Sequence, residues 1–230
     1  MQVVVLAGGL GTRLRPVTER VPKPMVEVAG RPFLEYIVRH VSIQGLDRIL
    51  ILLGYLGEQI KDYFGDGTKW GVSIDYATES SPLGTGGAIR NAFDKLDANF
   101  LLLYGDSYLP IDYPEVIQSF YAVPTQCLMV VYDNRHGDTG VSNNIAIDSA
   151  GTVRRYQKGS SASDLEYVEA GALCFSRNVF AGLGPSRQVS LEHDLYGDLI
   201  AARQIRAFVT KQRFFDIGTP ARLEEFIGQQ

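Results

Sequence analysis

The residues best suited to chemistry are packed into one string, Leu6–Met25, LAGGLGTRLRPVTERVPKPM. Gly8, Gly9 and Gly11 come directly off an apolar run, where backbone N–H groups can approach phosphate oxygens with no Cβ in the way. Arg13, Arg15 and Lys23 follow closely. From Gly11 to Arg31, five Arg/Lys stand against two Glu, a basic patch in a chain whose formal net charge is −4. Such a patch suits a compact polyanion such as a nucleoside triphosphate. Two familiar phosphate-binding patterns do not fit. A P-loop needs G-x-x-x-x-G-K-[ST], and no Lys-Ser/Thr follows these glycines. A dinucleotide fingerprint needs a third Gly opening a helix. Leu14 stands in that place, and Pro16, Pro22 and Pro24 forbid an immediate helix. A Gly-rich turn with solvated arginines is the plain alternative, and it leaves the full string unexplained.

Behind the string must lie a sheet. Gln2–Leu6 is a short continuous apolar run, the pattern of a buried parallel strand entering a loop. Arg31–Gly45 carries Phe33, Leu34, Ile37, Val38 and Val41 at helical spacing, with Pro32 in its first turn and Gly45 after its end. Asp47–Leu53, Val72–Ala77 and Phe100–Tyr104 read as strands, and Leu56–Phe64 and Thr85–Phe93 as helices. This β-α-β-α-β-α-β order predicts a parallel sheet with helices on both faces. The second half is less regular. Glu115–Tyr121 and Leu191–Arg203 read as helices. Gln126–Tyr132, Ile145–Ile147, Val153–Gln157, Tyr167–Phe175, Ala207–Thr210 and Arg213–Phe215 read as strands, and Pro220–Ile227 as a closing helix. The expectation is one α/β domain, three-layer α/β/α with a mostly parallel, Rossmann-like mixed sheet and a small antiparallel flap. Residues 1–110 would form its regular half and 111–230 its less regular half.

Composition narrows the class. With 230 residues, 45% hydrophobic and 21% charged, the chain has the make-up of a globular α/β protein. Its acidic balance speaks against nucleic-acid polymers and anionic membranes as partners. No run of 18 apolar residues exists, and MQVVVLAGG lacks the basic and apolar regions of a secretory signal, so a cytoplasmic location is expected. Cys127 and Cys174 are too few for a disulfide framework, and neither has metal-like spacing to His40, His136 or His193. Buried thiols and surface histidines are the expectation. Glycine is in excess, with 24 residues, nine of them (8, 9, 11, 84, 86, 87, 105, 171 and 218) in the motifs discussed here. The excess therefore reads as a ligand-contact feature.

GGLGTRLRPVTERVPKPMVEVAGRPFLEY closely resembles the signature of the sugar-1-phosphate nucleotidylyltransferases. Four further segments match that family in order: ESSPLGTGGAI (79–89), LYGDS (103–107), QKG…EAG (157–171) and FDIGTP (215–220). The resemblance spans residues 2 to about 228. The family joins a sugar 1-phosphate to the α-phosphorus of an NTP, giving NDP-sugar and pyrophosphate. Little proton transfer is needed, so positioning and electrostatics should dominate.

What the resemblance implies can be given residue by residue. Leu6, Ala7, Gly8, Gly9, Gly11 and Thr12 would hold the nucleotide. Arg13 would sit on the β- and γ-phosphates, and Lys23 would reach the α-phosphate. Asp106 and Asp216 would hold Mg²⁺, two carboxylates plus phosphate oxygens being a usual set for that ion. Pro82, Gly84 and Thr85 would lie against base and ribose, with Thr85 capping the following helix. Glu79 would read the base edge, where a carboxylate can accept from guanine N1–H and N2–H. Gly105 and Lys158 would serve the sugar phosphate, and Glu169 and Gly171 would bracket the sugar hydroxyls. This last segment departs from the commoner E-K-P…N-A-G form, which weakens the link to those hydroxyls. PLGTGGAI combined with a GD motif most resembles the bacterial heptose-1-phosphate guanylyltransferases of GDP-heptose synthesis. UTP- or CTP-using enzymes acting on hexose or N-acetylmuramate 1-phosphates remain alternatives, as does a non-catalytic nucleotide-sugar-binding regulator. Monomer and dimer both remain open.

Overall fold

The computed structural model describes residues 1–160, 162–184 and 187–229. The first half comprises β1 (Gln2–Ala7), the short pair β2 (Glu27–Val28) and β3 (Arg31–Pro32), α1 (Phe33–Ser42), β4 (Arg48–Leu53), α2 (Gly57–Phe64), β5 (Ser73–Thr78), α3 (Gly84–Asn91) and β6 (Asn99–Tyr104). Then come β7 (Ser107–Tyr108), α4 (Tyr113–Tyr121), β8 (Cys127–Asp133), β9 (Ile145–Ile147), β10 (Val153–Tyr156) and β11 (Tyr167–Ser176). The last elements are α5 (Tyr196–Ala201), β12 (Ile205–Thr210), β13 (Phe215–Asp216) and α6 (Pro220–Ile227).

β5, β4, β1 and β6 lie side by side in that order, all parallel, with Val4 facing Leu50 on one side and Leu102 on the other. β11 joins β6 antiparallel. β8 follows antiparallel on β11, and β12 runs parallel to β8. β9 and β10 extend the end of β11 in antiparallel pairing, completing a nine-stranded mixed sheet. β1, β4 and β6 are apolar on both faces because helices cover both, whereas the edge strand β5 exposes Ser73, Asp75 and Thr78. Alternate residues divide cleanly: Val3, Val5, Ile49 and Ile51 pack with α1, α2, α4 and α6, while Val4, Leu50 and Leu52 pack with α3, Phe180 and Tyr196.

The expected three layers are therefore present, with differences in detail. Pro32 precedes α1 as its cap residue instead of lying in its first turn. The antiparallel flap is continuous with the main sheet, whereas a separate ribbon pairs β7 with β13. Arg213 and Phe214 lie outside that ribbon, whose pairing begins at Phe215, and the Arg213 guanidinium donates to the Asp138 carbonyl at 3.1 Å. The helix expected over Leu191–Arg203 is two pieces, a π turn at Leu191–Leu195 and then α5. Backbone anchors at its start fix this segment: Leu191 N donates to Thr85 Oγ1, and Ser190 N to Asp194 Oδ2. Both cysteines are buried free thiols. His136 and His193 are exposed as expected, but His40 is half-buried, with Nε2 3.1 Å from the Ile111 carbonyl. Among the described residues no helix is long and apolar enough to cross a membrane.

Candidate active site

Strand order reverses at β1, with β4 and β5 on one side and β6 on the other. The crevice at the carboxyl ends of such strands is where an open α/β sheet receives its ligand. A cleft of about 400 Å³ opens there. β1 contributes Leu6 and Ala7, then Gly8, Gly9 and Leu10 from the loop that leaves it. Glu79 follows β5, and Pro82, Gly84 and Thr85 come from the start of α3. Tyr104 ends β6, with Asp106 two residues on, and Lys23, Pro24, Lys158, Gln188 and Glu192 close the ring.

Three 3-10 turns, Thr12–Leu14, Val17–Glu19 and Lys23–Met25, carry the chain from the glycines to Lys23. Gly11 starts them at φ +62°, and a Cβ there would meet Thr18 Cγ2 at 2.9 Å. The threonine hydroxyl donates to the Gly11 carbonyl at 2.8 Å. This fold-back places the Lys23 ammonium, on a residue 8% exposed, against the Asp106 carboxylate. A buried ammonium requires such a partner. The cleft thus has a cation and an anion built into one wall.

Glu79 sits at the opposite end. Its Oε2 accepts from Leu83 N at 3.1 Å. A Cβ at Gly54 would lie 2.7 Å from the Gly8 carbonyl oxygen and 2.8 Å from Glu79 Oε1, so only glycine fits beneath this carboxylate. Burial pushes the Glu79 carboxyl above its ordinary range, opposed by the Leu83 N–H.

The glycines of PLGTGG answer mainly to the protein. Gly84, at φ +74°, would drive a Cβ to 2.6 Å from the Val189 carbonyl oxygen. Gly86 N and Gly87 N both donate to that oxygen, at 2.8 and 3.1 Å, and Val189 N donates to the Leu83 carbonyl. Thr85 is not a cap. It lies inside α3, and its hydroxyl accepts from Leu191 N at 2.8 Å. Gly105 and Gly171 are likewise closed in by the Leu6 carbonyl and by Ser107, whereas Gly9 faces open space. The glycine excess therefore reflects close backbone packing at least as much as ligand contact.

Glu169 does not line the cleft. It is buried on β11, where Oε1 accepts from the hydroxyls of Tyr104, at 2.7 Å, and Tyr196, at 3.1 Å. Burial raises its carboxyl above the ordinary range, partly opposed by the Tyr104 donation. Tyr104, which does line the cleft, is therefore held from behind by Glu169. Gly171, at φ +77°, marks an irregularity in the β11–β8 pairing next to Ser107.

Asp216 also lies outside the lining. β13 sets it opposite Ser107, and Ile217 N donates to the carbonyl of Asp106 in the turn before β7, so the two aspartates belong to adjoining segments. Asp106 is about one-third exposed and opens on the cleft. Asp216 accepts from Gly218 N at 2.7 Å and from Arg222 at 3.0 Å. Among the described residues no group of three or more His, Cys, Asp or Glu could hold a metal. Two carboxylates completed by ligand phosphates fit a hard divalent cation, provided Arg222 yields one oxygen of Asp216. Arg13 is exposed and outside the lining, its guanidinium beside Gly218.

Sequence reasoning missed Leu10, Pro24, Ala88, Tyr104, Gln188 and Glu192 in the lining, and Gly54 behind it. Leu10, Pro24, Ala88 and Tyr104 lie inside quoted motifs and could have been taken with them. Glu192, which forms an ion pair with Lys158 across the cleft, carries no local signal.

A lysine-bearing cleft at the switch point of a mixed sheet defines a nucleotide-handling α/β protein. Comparison is specific about which kind. Residues 2–229 match the nucleotidyl transferase family, and the chain belongs to it. A D-glycero-α-D-manno-heptose 1-phosphate guanylyltransferase of Aneurinibacillus thermoaerophilus is 30% identical, with 96% of this chain and 94% of that protein aligned. A mannose-1-phosphate guanylyltransferase of Mycobacterium tuberculosis is also 30% identical over 99% of this chain, which spans 63% of that protein. The crystal structure of HddC from Yersinia pseudotuberculosis, complexed with GMP-PN, superposes with a TM-score of 0.83 at 30% identity. It covers 99% of this chain and 98% of that one.

Proposed function

We propose that this chain transfers GMP from GTP to a heptose 1-phosphate, releasing pyrophosphate and forming GDP-heptose. The observation that carries the reading is one cleft joining a glycine-lined strand end, a carboxylate at the base end, the Lys23–Asp106 pair and Lys158. In this reading Leu6–Gly9, Gly11 and Thr12 hold the nucleotide, and Glu79 accepts from the guanine edge between Pro82, Gly84 and Thr85. Residues 1–110 form the nucleotide side of one domain, and residues 111–230 the sugar-phosphate side. Two guanylyltransferases of similar length support guanine, and a uridylyltransferase of similar length makes uracil the base to test against it.

The chemistry asks for charge neutralisation and alignment. Lys23 leaves Asp106 for the α-phosphate, where its buried position makes each hydrogen bond stronger than it would be in water. Arg13 neutralises the departing pyrophosphate. Asp106 and Asp216 would hold Mg²⁺, which supplies charge stabilisation to the phosphates when bound. Lys158 takes the sugar phosphate, Gly105 brings the turn carrying Asp106 close against the Leu6 carbonyl, and Glu169 and Gly171 shape the sugar side through Tyr104 and Ser107. The test is a pyrophosphate-release assay pairing GTP, UTP, CTP and dTTP with heptose, mannose, glucose and N-acetylmuramate 1-phosphates. GTP with heptose 1-phosphate should be turned over best. Release with UTP alone would remove the guanylyl assignment, and silence in every pairing would remove the enzyme.

A further inference from the structure

Glu192 has no part in the reaction described above, yet the backbone around it is tied down on both sides. It sits in the π turn Leu191–Leu195, a geometry frequent at functional sites. The turn cannot slide. Val189 is hydrogen-bonded at both N and O to the loop that opens α3, Leu191 N is held by Thr85, and Ser190 Oγ accepts from His193 N. From this seat the Glu192 carboxylate enters the cleft and meets Lys158. The Glu192 side chain is 19% exposed and the Lys158 side chain 55%, so the carboxylate is the more enclosed member of the pair. Behind them lies Glu169, close enough for Glu192 to raise its carboxyl and for Lys158 to lower it.

We propose that Glu192 is a specificity-determining residue which makes the Lys158 site reject bare phosphate and accept phosphate that carries a polyol. An incoming phosphate must share the Lys158 ammonium with Glu192 or displace the carboxylate from it. In either case a largely buried carboxylate loses part of its pairing beside Glu169 and faces a new anion, which is unfavourable. Inorganic phosphate and released pyrophosphate offer nothing in exchange. A sugar 1-phosphate brings hydroxyl donors to the vacated carboxylate and restores its hydrogen bonds. Discrimination thus comes from penalising the wrong ligand as well as from contacts with the right one. Because the π turn is bonded to the base-side loop, the gate is positioned by the same backbone that shapes the nucleotide side.

The inference rests on the reading that Lys158 receives the sugar phosphate, and the experiment separates the two. Binding of D-glycero-α-D-manno-heptose 1-phosphate and of inorganic phosphate is measured by calorimetry on the full chain, with inorganic phosphate also tested as an inhibitor competing with the sugar. Lys158→Met should weaken both ligands. If it weakens neither, the reading fails and the gate with it. Given that loss, Glu192→Gln should move the ligands in opposite directions. Inorganic phosphate should bind about tenfold tighter and heptose 1-phosphate about tenfold weaker, the scale of one charge-assisted hydrogen bond. Glu192→Asp, which withdraws the charge by one methylene, should show the same signs at smaller size and serves if the first variant folds poorly. Movement of both ligands in the same direction, or of neither, would overturn the gate while leaving the Lys158 assignment intact.

Discussion

The two sides of the cleft are built by different means. On the side proposed for the nucleotide, the lining comes from two short local stretches, Leu6 to Leu10 and then Pro82, Gly84 and Thr85. On the side proposed for the sugar, side chains converge from remote places. Tyr104 of β6 lines the cleft, buried Glu169 of β11 and Tyr196 of α5 stand behind it, and the Lys158–Glu192 pair bridges 34 positions in sequence. A surface made of short stretches can be written as a local motif, whereas one made of converging side chains is written only in three dimensions. The first suits a ligand part common to many enzymes, and the second suits the part that distinguishes them.

The sharpest way to break this contrast is through the Lys23–Asp106 pair. Lys23→Ala and Asp106→Asn should each lower kcat at least ~10²-fold, the scale of one lost transition-state contact. Single-turnover rates near wild type in either variant would remove the pair from the chemistry. Next in size is a comparison within the glycines. Gly84→Ala places a side chain at φ +74° against Val189, and should cost about 1–3 kcal/mol in denaturant unfolding. Gly9→Ala meets nothing within 4 Å, so stability should move by less than about 0.5 kcal/mol while NTP affinity falls. Equal stability losses at both positions would erase the distinction between packing glycines and ligand glycines.

Two pH experiments address the sugar side and its support. Burial raises the Glu169 carboxyl in the folded chain above its ordinary 4.5. Above that value the unfolded chain has released a proton which the folded chain still holds, so stability falls as pH rises towards the folded value. Glu169→Gln should remove that slope in unfolding midpoints measured across the acid to neutral range. A wild-type curve parallel to the variant's would mean that the carboxylate titrates as if in water. The smallest effect concerns His40 on α1, which burial holds below its ordinary 6.5 and which abuts Ile111 where the second half begins. Here the unfolded chain takes up the proton first, so stability is lost as pH falls through 6.5, and His40→Gln should flatten that loss.

How much could be read from residues alone follows the same division. β1, β4 and β6 were legible to within a residue or two because buried parallel strands are continuous apolar runs, and β5 because apolar and polar residues alternate along its half-exposed start. Lys23 and Asp106 were legible as site residues through their motifs, although their mutual ion pair was not. The π turn was hidden because Leu191, Leu195 and Tyr196 keep helical spacing through it. Glu169 was expected among the sugar hydroxyls, yet strand alternation on β11 turns it inward to tyrosines from β6 and α5, partners that no local pattern reveals. Asp216 was legible as a neighbour of Asp106. Its hold by Arg222, six residues on and across a turn, was not.

The clamp between Val189 and the PLGTGG loop bears on how such enzymes diversify. Because one carbonyl oxygen takes both Gly86 N and Gly87 N, the loop at the base end and the turn carrying Glu192 behave as a single inherited part. A chimaera that imports the loop from a relative with another base preference, but keeps residues 187–195, would join surfaces shaped for different backbones. Recombination between family members should succeed only when both segments travel together, so preferences for base and sugar would tend to change as a set.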